Sequence, residues 1–156
     1  MNKNALFLVI FIALFAHSNS LQIKSKTKNL RSAQYPNMII AGESLKAGDA
    51  LLSANGKFMA VMHTDGNLVV YNIVGKQLWA SNTSTTNITK LPYMAKLQYD
   101  GNFVIYNVKG EPVWASMTYH SKPEDTYALI MQDDGLLTLY GVNEYPKWGS
   151  KTARKK

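Results

Sequence analysis

Three nine-residue stretches, set 35 and then 34 residues apart, constrain this chain more than any other feature. They run His63-Thr64-Asp65-Gly66-Asn67-Leu68-Val69-Val70-Tyr71, Gln98-Tyr99-Asp100-Gly101-Asn102-Phe103-Val104-Ile105-Tyr106 and Gln132-Asp133-Asp134-Gly135-Leu136-Leu137-Thr138-Leu139-Tyr140. In an extended chain, side chains two apart share a face. Gln98, Asp100, Asn102, Val104 and Tyr106 therefore project to one side, while Phe103 and Ile105 project to the other, where a core would lie. A solvated strand face beside an Asp-Gly turn would account for one such stretch, but not for three in register. The first row keeps Asp65, Asn67, Val69 and Tyr71, with His63 in place of glutamine. The third keeps Gln132, Asp134 and Tyr140, with Leu136 for asparagine and Thr138 for valine. Eight residues after each tyrosine stands one of the chain's three tryptophans, Trp79, Trp114 and Trp148, followed by Ala-Ser, Ala-Ser and Gly-Ser. A fixed period of this kind means three copies of one supersecondary unit, each needing its neighbours to bury its apolar face.

The rest of the pattern is all-β. From Ile39 onward, short apolar runs alternate with turn residues at the spacing of a many-stranded antiparallel fold. Gly42, Gly48 and Asn55-Gly56 punctuate the first strands. Phe58 to Met62 reads as a strand, Asp65-Gly66 as a tight turn, Asn67 to Asn72 as the strand carrying the row, and Leu78-Trp79-Ala80 as its return. The same order recurs at Met94 to Leu97, Asn102 to Asn107 and Val113 to Ala115. It recurs again at Tyr127 to Met131, Leu136 to Tyr140 and Lys147-Trp148. No helical apolar spacing follows the first 20 residues.

The row Gln-x-Asp-x-Asn-x-Val-x-Tyr, three times at this spacing with trailing tryptophans, resembles the monocot mannose-binding, or bulb-type (B-type), lectins over residues 36 to 150. That resemblance implies a β-prism II: three four-stranded sheets with pseudo-threefold symmetry, one shallow sugar pocket per sheet, and the tryptophans filling the centre. It implies that glutamine meets a mannose 3-hydroxyl, that aspartate and asparagine share the axial 2-hydroxyl, that tyrosine meets the 4-hydroxyl, and that valine packs on ring carbons. Carried over residue by residue, Gln98, Asp100, Asn102, Val104 and Tyr106 form a complete pocket. His63, Asp65, Asn67, Val69 and Tyr71 form a nearly complete one, and Gln132, Asp134 and Tyr140 a weak or silent third. Family members usually carry a cysteine pair, here replaced at what look to be Gly66 and Tyr93. Many dimerise by exchanging C-terminal strands, so a homodimer is an open expectation.

The chemistry of the row suits a sugar independently of kinship. A pyranose offers hydroxyls that both donate and accept around a small apolar patch, and an ionised acceptor, amides and a modest apolar group answer those needs. If His63 takes part, affinity at the first pocket should fall as it protonates near its ordinary pKa of about 6 to 6.5; a merely exposed histidine is the alternative. Losing the amide at the third pocket should cost on the order of 1 kcal/mol or more.

Residues 1 to 20 read as a secretory signal, with Lys3, an apolar run from Ala5 to Ala16 and Ser18-Asn19-Ser20 as cleavage site. The run is too short for a comfortable membrane span of about 20 residues, so a secreted product without stable membrane insertion is expected. Residues 21 to 35 are a basic linker or pro-segment, and 151 to 156 a basic tail. The formal charge of +7 belongs to these flanks, because residues 37 to 150 hold 8 basic and 10 acidic side chains, net −2. The body shows no basic groove with interleaved aromatics, which sets nucleic acid aside. With no cysteine, a secreted domain rests on its hydrophobic core alone. Asn82 and Asn87 are N-glycosylation acceptors in what should be a surface loop.

These features point to a mannose-binding lectin for high-mannose glycans. The competing class is a protein-binding β-prism with lapsed pockets, and membrane activity through the basic flanks is a third reading. An enzyme is not expected: beyond residue 20 only His63 and His120 remain as histidines, and Asp133-Asp134 is an adjacent pair rather than two carboxylates facing across a cleft. No metal or other cofactor is implied.

Overall fold

The computed structural model describes residues 37–121, 127–141 and 145–150. The expected signal, basic linker and basic tail lie outside the described residues. Twelve short strands build three antiparallel sheets of four. The strands β3 (Ala50–Leu52), β4 (Phe58–Met62), β5 (Leu68–Asn72) and β6 (Gln77–Ala80) form the first sheet. The second holds β2 (Ser44–Lys46), β7 (Met94–Leu97), β8 (Phe103–Tyr106) and β9 (Pro112–Ala115). The third holds β1 (Met38–Ile40), β10 (Ala128–Met131), β11 (Leu137–Tyr140) and β12 (Pro146–Gly149). The three strands at the start of the domain are thus dealt one to each sheet. Because β1 pairs with β10, the start of the domain closes onto its end. The only other regular element among the described residues is a single 3-10 turn, Ile88–Lys90.

The alternation read from the rows holds on the inward side. Leu68 and Val70, Phe103 and Ile105, and Leu137 and Leu139 are repeat equivalents, and all are fully buried. So are Met62, Leu97 and Met131 on the neighbouring strands. Burying each such side chain contributes roughly 1.5–3 kcal/mol, which is how the domain does without disulfides. The three tryptophans meet one another. Their ring centroids form a nearly equilateral triangle of 5.7, 5.5 and 5.4 Å with interplanar angles of 72°, 76° and 74°. Edge-to-face packing at these distances suits the ring quadrupoles. Each indole stays partly exposed while packing against the main core.

The turn glycines reveal a second periodicity. A β-carbon placed on Gly66 would lie 2.5 Å from the Tyr93 ring, one on Gly101 2.5 Å from Tyr127, and one on Gly135 2.9 Å from Phe58. Phe58, Tyr93 and Tyr127 stand 35 and 34 residues apart, so each repeat's aromatic covers another repeat's turn in a closed ring. All three glycines have φ between 81° and 93°, so both backbone and space exclude larger residues there. At the Gly66–Tyr93 position, where the family resemblance points to a cysteine pair, ring-on-backbone packing takes its place.

Candidate functional site

Each row begins just before a hairpin turn and ends on the strand that follows it. In all three, the aspartate carboxylate turns back on the chain: Asp65, Asp100 and Asp134 Oδ1 accept from the backbone N–H of Asn67, Asn102 and Leu136 at 3.0, 2.9 and 3.0 Å. This Asx turn fixes the carboxylate with one oxygen engaged and the other still able to accept. A β-bulge falls just before the tyrosine of each row, between Val70 and Tyr71, Ile105 and Tyr106, and Leu139 and Tyr140.

At the far end of the second row, Gln98 Nε2 donates to Tyr106 Oη at 2.7 Å, leaving the phenol proton for an outside acceptor. The third row repeats this bond, Gln132 to Tyr140, at 2.6 Å. In the first row His63 takes the glutamine's place, with Nε2 3.2 Å from Tyr71 Oη. His63 is therefore half-buried and bonded within the row rather than merely exposed. Burial holds its pKa below the ordinary value, with the Asp65 carboxylate offsetting part of that. Burial, reinforced by Asp65, raises the pKa of Tyr71 and keeps it a phenol.

The valines and their third-row counterpart are nearly covered. Val69 and Val104 keep only 2% and 3% of their surface, and Thr138 4%. Their share of any ligand contact is limited to a few atoms, so polar groups dominate the site.

The asparagines of the first two rows are held by the serine that trails each tryptophan and by the threonine two residues beyond it. After each tryptophan comes Ser-x-Thr: Ser81-Asn82-Thr83, Ser116-Met117-Thr118 and Ser150-Lys151-Thr152. Ser116 Oγ donates to Asn102 Oδ1 at 3.2 Å, and the backbone N–H of Thr118 donates to the same oxygen at 3.3 Å. Ser81 and Thr83 meet Asn67 Oδ1 at 3.0 and 3.3 Å. The third row has Leu136 instead. There Ser150 Oγ still accepts from the Leu137 N–H at 2.8 Å, as Ser116 does from Phe103 at 2.9 Å; Thr152 lies outside the described residues. Thr138 Oγ1 further donates to Gln132 Oε1 at 2.7 Å, engaging the glutamine from its other end.

Other candidates are placed elsewhere. Asp133 Oδ1 accepts from the Asn55 N–H at 2.8 Å while Asp134 serves its own turn, so the adjacent carboxylates do not act as a pair. Among the described residues no group of three or more His, Asp or Glu side chains is arranged to hold a metal ion. Asn82 and Asn87 are both exposed in the loop leading to the 3-10 turn.

Three antiparallel sheets carrying repeated polar rows on their outer strand faces define a β-prism of the lectin type. The solved structures similar to this chain agree. A monomeric monocot mannose-binding lectin from Gastrodia elata is 34% identical, covers 74% of this chain and 97% of its own, and superposes with a TM-score of 0.64. The mannose-specific agglutinin of snowdrop (Galanthus nivalis), solved with methyl-α-D-mannoside, is 30% identical over 77% of this chain and 98% of its own, at a TM-score of 0.58. Among curated proteins, the B-type lectin plumieribetin of Scorpaena plumieri is 38% identical over 55 residues, 35% of this chain and 47% of that protein. No protein-family model matches the sequence. The chain belongs to the bulb-type (B-type) lectin family, a family of carbohydrate-binding proteins rather than enzymes.

Proposed function

We propose that this lectin is secreted and recognises mannose in high-mannose glycans through its second and first rows, the third being silent. The observation that carries the reading is the arrangement shared by rows one and two. In each, a carboxylate with one free oxygen stands two residues from an asparagine whose carbonyl is engaged, and a tyrosine is bonded to the first residue of the row. The axial 2-hydroxyl of mannose can donate to the aspartate and accept from the asparagine amide, whereas the equatorial hydroxyl of glucose points elsewhere. Mannoside bound to the related snowdrop agglutinin supports the sugar class. Single shallow pockets of this kind bind near millimolar, about −4 kcal/mol, and avidity comes from two pockets engaging one branched glycan. Residues 1 to 20 support export.

A glycan array comparing the wild-type protein with Asn102→Ala tests the reading, together with retention on mannose-agarose and elution by free mannose. The wild type should select terminal mannosides and the variant should lose most of that signal. Equal binding by both would misplace the site. No retention of the wild type would favour a protein-binding scaffold.

A further inference from the structure

We propose that the Ser-x-Thr straps, Ser116-Met117-Thr118 at the second row and Ser81-Asn82-Thr83 at the first, are positioning elements that decide which end of the asparagine amide faces the ligand. The inference rests on the reading of these rows as sugar sites and deepens it, assigning a specificity role to residues outside the rows.

An asparagine side chain presents either an acceptor or two donors, depending on which way the amide is turned. At Asn102 the environment settles that choice. The backbone N–H of Thr118, 3.3 Å away, can only donate, so the oxygen must face it and the NH2 must face the row. The hydroxyls extend the constraint in one direction. The Phe103 N–H donates to Ser116 Oγ at 2.9 Å, Ser116 and Thr118 hydroxyls meet at 2.7 Å, and Thr118 Oγ1 donates to the Gly101 carbonyl at 2.7 Å. With Thr118's proton committed to the carbonyl, Ser116 supplies the proton between the two hydroxyls and shares it with Asn102 Oδ1 at 3.2 Å. The first row repeats every link. The Leu68 N–H donates to Ser81 at 3.0 Å, Ser81 meets Thr83 at 2.7 Å, and Thr83 donates to the Gly66 carbonyl at 2.6 Å.

The backbone is bent to achieve this. Asn82 and Met117, the central residues of the two straps, both have φ of 58° and are the only non-glycine residues with positive φ among those described. Asparagine tolerates that conformation; methionine does so rarely. Strain repeated at equivalent positions beside a site is a signature of function. Its effect is a donor, the Asn102 amide, set beside an acceptor, the free oxygen of Asp100. One hydroxyl that donates and accepts at once satisfies both. With the amide reversed, two acceptors would compete for a single proton.

The test uses the full-length protein carrying Asp65→Ala, so that only the second row reports. Thr118→Val keeps the side-chain shape and removes the hydroxyl, and Thr118→Ser restores it. Titration with methyl-α-mannoside should show Thr118→Val weakened roughly three- to tenfold and Thr118→Ser within about twofold of the parent. In parallel, 15N relaxation of the Asn102 side-chain amide should show an ordered NH2 in the unliganded parent and a more mobile one in Thr118→Val. Should that variant unfold, Thr83→Val read at the first row in an Asp100→Ala background gives the same comparison. Unchanged affinity and amide order, or failure of serine to rescue, would overturn the proposal. A parent that ignores mannoside yet loses amide order in Thr118→Val would retain the strap and refute the sugar reading instead.

Discussion

The second and third rows share almost everything that a backbone can supply. Both lie on the middle strand pair of a four-stranded sheet, both turn on an aspartate that accepts from the residue two ahead, and both carry a bulge before a tyrosine bonded by glutamine. Among the five outward positions of each row, they differ in two side chains. Leu136 removes the amide that Ser150 would otherwise hold, and Thr138 spends its hydroxyl on Gln132 Oε1. At the second row Val104 has no hydroxyl to offer, so that oxygen of Gln98 is spared this partner. Gln132 in the third row is thus held at both ends, by Thr138 and Tyr140, while the aspartate turn and the glutamine–tyrosine bond are the same in both rows. On the proposed function, fold and binding capacity are separable: the scaffold is set by the buried inward side chains of each repeat, and the capacity by two outward positions at which the rows differ.

The largest expected effect falls on what the two rows have in common. Trp114→Ala removes one corner of the indole triangle, hence two of its three contacts, and its contact with Phe103, 6.1 Å between centroids, and should destabilise the domain by roughly 3–5 kcal/mol. Urea denaturation followed by circular dichroism measures this; a loss under about 1 kcal/mol would mean that the tryptophans are peripheral to stability. Next comes conversion of the second row into the third. Asn102→Leu with Val104→Thr should weaken mannoside binding there by roughly 1–3 kcal/mol with little change in the unfolding midpoint. A variant that binds as before would show the amide to be dispensable.

The reverse conversion is the sharper experiment. Leu136→Asn with Thr138→Val frees Gln132 Oε1 and places an amide within reach of the waiting Ser150. Calorimetry should find two mannoside sites per wild-type chain and a third, comparable one in the double variant. Three equivalent sites already present in the wild type would abolish the distinction between the rows.

How much of this was legible in the sequence follows from the range of each interaction. The inward pair Phe103 and Ile105 came from period-two alternation, and the threefold plan from the spacing of the rows. Those patterns are local or strictly repeated. The ring of Phe58, Tyr93 and Tyr127 over Gly135, Gly66 and Gly101 has the same period, but the contact joins different repeats and needed coordinates to reveal it. Alternation assigns Val104 to the outward face without saying what covers it, and the fold leaves it only 3% exposed. The straps escaped for a subtler reason. Ser116 and Thr118 act through one backbone N–H and a left-handed residue between them, and neither feature has a composition of its own.

The smallest expected effect separates the first row from the second by pH. His63 replaces a glutamine that cannot titrate, and its Nε2 lies against Tyr71 Oη. Its pKa in the folded protein is below the ordinary 6.5 chiefly because burial disfavours the imidazolium, the carboxylate of Asp65 offsetting part of that. The unfolded chain therefore binds the proton more readily than the folded one. Stability from this residue is complete above about pH 6.5 and declines as pH falls from there through the lower folded value. Binding at the first row should follow the same direction, because charging the half-buried imidazole favours its exposure to water and so loosens its contact with Tyr71 Oη. Measured in an Asp100→Ala background, mannoside affinity should be flat above the ordinary histidine pKa of about 6.5 and fall as pH drops below it, and His63→Gln should remove the fall. The second row, measured with Asp65→Ala, should hold its affinity across the same interval. A decline of equal size at both rows would trace the pH dependence to the aspartates that they share and clear His63 of any part in it.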